Sequence, residues 1–144
     1  METLQEIMKK VLADTFALYL KAHNYHWNVE GSNFPQYHEF FGNLYEELHG
    51  AVDPIAEQIR SLDTYAPGSF TRFMELSEIE DETSVPAGVE MARRLMTDNE
   101  RVLATLNVAF KLAEQFDKQG LADFLAGRID THSKHAWMLR SITK

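Results

Sequence analysis

Fifteen residues separate His38 from Asp53 on a single helical pattern, and that spacing constrains the chain more than any other feature in it. At about 100° per residue the two side chains sit only about 60° apart around a helix, yet roughly 22 Å apart along it. His26 lies twelve residues before His38, and Glu57 lies one turn after Asp53 on the same helix face. Imidazoles and carboxylates in one stretch point to a transition-metal site. One ion cannot be reached from both ends of this span. If the four residues serve one site, a second copy of the helix must run antiparallel beside the first and bring its Asp53 level with this copy's His38. The two-fold axis then passes near Tyr45 and Glu46. Each dimer carries two equivalent sites, with histidines from one chain and carboxylates from the other.

The chain has 144 residues and no cysteine. That length fits a single domain over 1–144 with one core. Without thiols any metal must be held by nitrogen and oxygen, which excludes iron–sulfur chemistry and disulfide frameworks. Twenty-two acidic residues against fourteen basic give a net charge of −8, which disfavours nucleic acid and anionic membranes and suits attraction of cations. The first residues, Met-Glu-Thr-Leu-Gln-Glu, have no basic or apolar leader pattern, and no run approaches the roughly 18 apolar residues of a membrane span. A cytoplasmic location is the default expectation.

Apolar residues recur at helical spacing from Glu2 to about Asn28 through Leu4, Ile7, Met8, Val11, Leu12, Phe16, Tyr19 and Leu20. Gly31 and Pro35 break the pattern, with Ser32 or Asn33 as the cap of a second helix over about Phe34 to Leu62. That helix holds Pro54 in its interior, where a proline costs about 3 kcal/mol, with Gly50 one turn before it to ease a kink. Residues 63–85 form a connection with a short helix over Phe70 to Leu76. Ser84-Val-Pro86 then opens a third long helix, with a stripe through Val89, Ala92, Leu95, Met96, Leu103, Leu106, Phe110, Ala113 and Phe116. Gly120 ends it, and a last helix runs from about Leu121 to Ser141, with Phe124, Leu125, Ile129, His132, Ala136 and Leu139 or Trp137 inward. The fold class is therefore all-α, a ferritin-like four-helix bundle with a long crossover between its second and third long helices.

His23-Asn-Tyr-His26-Trp27-Asn28-Val29-x-Gly31-x-x-Phe34-x-x-x-His38, followed by Val52-Asp53-x-Ile55-Ala56-Glu57-x-Ile59-Arg60, resembles the Dps family of dodecameric mini-ferritins, the DNA-protection-during-starvation proteins. The resemblance is strong from about Lys21 to Gly68. It implies a ferroxidase centre between two subunits, with His26 and His38 from one chain and Asp53 and Glu57 from its two-fold partner. Glu57 would bridge or ligate the first iron, and Asp53 would bind iron or orient the site. It implies a radical-quenching place for Trp27, although packing accounts for a tryptophan there equally well. His23 is either a partner orienting a ligand or a packing residue. Asp123, near the start of the last helix, matches a position lining a three-fold iron pore. The sequence departs from the family at Gly42, where many members carry Asp or Glu for a second iron. Glu46 or water could substitute, or the site could hold one metal.

The leading expectation is a ferroxidase that binds Fe(II), oxidises it with hydrogen peroxide or oxygen, and stores ferric iron in a hollow homo-oligomer, a dodecamer by resemblance. It would protect against oxidative damage. A DNA-binding protector with weak or lost ferroxidase activity is the alternative, and the acidic balance and lack of a lysine-rich tail argue against it. A third reading is a bundle that kept the fold and lost the metal chemistry at Gly42.

Overall fold

The computed structural model describes residues 2–144 as five helices: α1 (Glu2–Asn28), α2 (Phe34–Ser61), α3 (Phe70–Leu76), α4 (Gly88–Gln115) and α5 (Gln119–Thr143). The helices α1 and α2 pack as one hairpin, α4 and α5 as another, and α1 lies against α4. The apolar stripes account for this arrangement. Leu4, Met8, Leu12 and Leu18 of α1 meet Phe41, Leu48, Ile55 and Ile59 of α2, Met91, Leu95 and Leu106 of α4, and Leu125 and Leu139 of α5 in one core. Burying each such side chain contributes about 1.5–3 kcal/mol. The four long helices and their middle crossover make the ferritin-like bundle that the sequence pattern leads one to expect.

The crossover is held by polar anchors as much as by apolar ones. In the middle of α1, the buried Asp14 accepts from the Ser77 hydroxyl and the Glu78 backbone N–H, both at 2.9 Å, and so ties the segment that follows α3 to α1. Phe73 stacks on Phe16 with ring centroids 4.8 Å apart. Lys21 donates to the Glu80 carbonyl at 3.0 Å and pairs with Asp98 of α4 at 2.8 Å, both ends of that ion pair being buried. Burial outweighs Lys21 at Asp98 and holds its carboxyl above the ordinary value. Tyr25, fully buried and absent from the stripe read off the sequence, donates to Glu82 at 2.6 Å, and Arg94 donates to the same carboxylate.

Several boundaries differ from the sequence expectation. Helix α4 starts at Gly88 after Ala87, not at Pro86, because Ser84 turns its hydroxyl to Glu82 rather than capping a helix. Gly120 does not end α4. The helix stops at Gln115, and Asp117 takes the left-handed conformation (φ 56°) that lets the Lys118 N–H return to the Ala113 carbonyl, so Gly120 lies in the first turn of α5. Asn33 precedes α2, but its side chain makes no capping hydrogen bond. Leu20 is 41% exposed and Trp137 56% exposed, both outside the core. The inward face of α4 carries Asp98, Asn99 and Thr105 beside its apolar residues. Helix α2 continues through Pro54, where the missing N–H would have served Gly50, a residue exposed enough for water to satisfy its carbonyl.

Candidate metal centre

The last turn of α1 and the second turn of α2 lie together at the hairpin end, and this brings His26 against His38. Their rings stack with centroids 3.8 Å apart and planes 18° apart. His26 Nδ1 donates to the His38 carbonyl, and His38 Nδ1 donates to the His26 carbonyl, each at 2.7 Å. A carbonyl can only accept, so each Nδ1 carries its proton and, in the neutral ring, each Nε2 keeps a free lone pair. This is the tautomer and the kind of outer partner that metal-binding histidines use. Phe34 stacks on His38 at 5.0 Å and closes the other side of the pair.

Gly42 has a steric cause. A Cβ built there would meet Cε1 and Nδ1 of His26 at 3.0 Å, so any side chain would push that ring from its place by a few tenths of an ångström. The absent side chain at 42 makes room for the present pose of His26.

The His23 ring lies 6.0 Å from that of His26. His23 lies flat between Tyr45, at 3.7 Å and 6°, and Trp27, at 3.9 Å, while its Nδ1 shares a hydrogen bond with the Tyr19 hydroxyl at 3.0 Å. Burial, then the neighbouring imidazoles of His26 and His49, lower its pKa. Trp27 is 59% exposed, so this stack ends in an open indole face. His49 rests on Tyr19 with centroids 4.8 Å apart.

Asp53, Glu57 and Glu46 all project from α2 as exposed carboxylates. Among the described residues no three His, Asp or Glu side chains of one chain gather at a common point. The imidazole pair lies where the end of α1 meets the start of α2, and the carboxylate pair stands farther along α2. Asp123 is exposed at the α4–α5 turn, where it lines an acidic surface hollow with Glu114 and Asp117.

A polar cluster that the sequence reading missed lies inside the bundle. Arg128 of α5 makes a two-pronged contact with Glu47 of α2 and donates to His132 Nε2 at 3.0 Å. His132 Nδ1 donates to the Asn99 side-chain oxygen at 2.7 Å, and His135 Nε2 bonds Glu47 at 2.8 Å. Burial raises the Glu47 carboxyl, but the hydrogen bonds from His135 and Arg128 outweigh it and hold it at about 2. Burial, then the Arg128 charge, pushes His132 down to about 3. The signal for this cluster was the spacing of Arg128, His132 and His135 along the apolar stripe of α5; its partners on α2 and α4 carried none.

The ferritin-like domain family matches residues 5–144. A low temperature-induced protein of Nostoc is 35% identical over 137 residues, covering 94% of this chain and 76% of its own length. The DNA protection during starvation protein 2 of Bacillus anthracis is 33% identical over 136 residues, covering 94% of this chain and 93% of its own. The crystal structure of a Dps protein from Bacillus brevis superimposes with a TM-score of 0.95 at 30% identity, over 99% of this chain and 96% of that one. By its fold, its matched length and its relatives, this chain belongs to the Dps family of ferritin-like proteins.

Proposed function

We propose that this chain is a mini-ferritin that binds Fe(II) as substrate at centres shared between two copies, oxidises it, and stores the ferric product inside a hollow homo-oligomer, a dodecamer. The observation that carries this reading is the reciprocal pair of bonds from each Nδ1 of His26 and His38 to the other's backbone carbonyl. They spend both Nδ1 protons on the backbone and leave two Nε2 atoms as donors. Asp53 and Glu57 of the partner would complete the site. Carboxylates favour the ferric product and imidazoles suit the ferrous substrate. With a peroxide as oxidant, two Fe(II) ions each give up one electron, the O–O bond breaks, and two protons complete two waters; oxygen is the other candidate oxidant. Trp27, exposed and packed on His23, would give up an electron to a stray oxidant.

The test is an anaerobic Fe(II) titration with metal counting, followed by oxidant. The expected result is saturable binding at each shared site and rapid oxidation that His26→Ala removes. Binding unchanged in His26→Ala would overturn the reading.

Two further outcomes are expected. With its net charge of −8 the protein should not retard duplex DNA in a gel at neutral pH and near-physiological salt. A clear shift would show that assembly builds a basic patch. Asp123→Asn should slow iron entry while leaving the dimer intact, as expected if the acidic hollow faces an entry pore. An unchanged uptake rate removes Asp123 from the route.

A further inference from the structure

The antiparallel pairing of α2 that the proposed site requires has a consequence for a residue that site does not use. Asp53 of the partner stands level with His38. Moving one turn toward the two-fold axis on both helices pairs Gly42 with the partner's His49. Gly42 is the position beside the imidazole pair that offers no donor, and its space is already taken by the ring of His26. His49 shares a face with the carboxylates: by helix geometry it lies about 40° from Asp53 and roughly 6 Å before it. Glu57 follows one turn later. His49, Asp53 and Glu57 thus form a ladder of three donors on consecutive turns, each exposed, and each successive pair has the i,i+4 spacing at which two side chains can reach one ion. His49 rests on the Tyr19 ring and lies near His23.

We propose that His49 is a ligand for a second divalent metal ion in each shared centre, with Asp53 between the two ions. The first ion takes His26 and His38 of one chain with Glu57 of the other. The second takes His49 and Asp53 from the same helix, beside Gly42 of the facing chain. An imidazole is a suitable donor for a first-row divalent cation such as Fe(II). This inference rests on the shared centre proposed above.

Cobalt(II), which binds without turning over, is the probe. Assembled protein, with its size checked by light scattering, is titrated anaerobically while bound metal and visible absorption are followed. Wild type should bind about two ions per chain, one centre per chain holding two ions. His49→Ala should keep the first ion with its affinity unchanged and bind the second at least about tenfold more weakly, and His49→Asp should restore it. Two ions bound equally well by wild type and His49→Ala would overturn the assignment and leave the shared centre standing. A single ion in both would do the same. Loss of the first ion in Glu57→Ala and His38→Ala checks the centre itself; if neither variant changes the titration, the shared-centre reading fails instead.

Discussion

Mixed dimers of His38→Ala and Asp53→Ala chains should oxidise Fe(II) at about half the wild-type rate per heterodimer, while either variant alone stays nearly inactive. Each parent assembly lacks one donor in every site. In a heterodimer the two losses fall into the same site, because one centre draws His38 from the damaged chain and Asp53 from the other damaged chain. The second centre then receives both intact residues. The roughly 22 Å between the two positions along one helix is the basis of this expectation, since no rotamer bridges it. Mass spectrometry establishes that mixed dimers are present. If those dimers are as dead as the parents, the donors act within single chains and the antiparallel arrangement is wrong.

The second large effect concerns the interior of the bundle. Arg128→Ala leaves Glu47 without its main charge partner in a half-buried setting and takes the donor from His132, a change that typically costs about 3–5 kcal/mol. At this chain length that corresponds to a fall in Tm on the order of 10 °C. The same cluster sets the acid limb of stability. His132 has a folded pKa of about 3 against an ordinary 6.5, so the unfolded chain binds its proton first. Its contribution is complete above about 6.5 and is lost as pH falls from there toward 3, at about 1.4 kcal/mol per pH unit through the middle of the window. Glu47, held at about 2 against 4.5, adds its own loss as pH falls below 4.5. His132→Gln can still donate to Asn99 and accept from Arg128 but does not titrate. Calorimetry from pH 7.5 to 5 should therefore show a Tm much flatter in His132→Gln than in wild type. Equal slopes would sink the assignment.

The long helices were legible in the sequence because their apolar residues repeat at helical spacing over six or more turns, and the ends of α1 and α3 followed from the same pattern. Local boundaries were less legible. Pro86 looks like a first-turn proline, yet whether a helix starts there depends on where Ser84 sends its hydroxyl, and Glu82 is fixed by Tyr25 from far along the chain. Gly120 looks like a terminator, yet a left-handed Asp117 had already ended the helix. At the candidate site, the types and spacing of His26, His38, Asp53 and Glu57 could be read directly. That both Nδ1 atoms are engaged by backbone, and that Gly42 makes way for a ring, depend on how α1 and α2 meet. No periodicity encodes that meeting.

The crossed bonds between His26 and His38 join the last turn of one helix to an early turn of the next. The two imidazoles are thus also the clasp of the hairpin. A descendant of this chain with no use for a metal would still be under pressure to keep them, since losing either one removes one of the two bonds that cross the turn. Asp53 and Glu57 hold nothing closed within their own chain and could drift freely. Among relatives, the carboxylates, rather than the histidines, are therefore the residues whose loss would mark a silent centre.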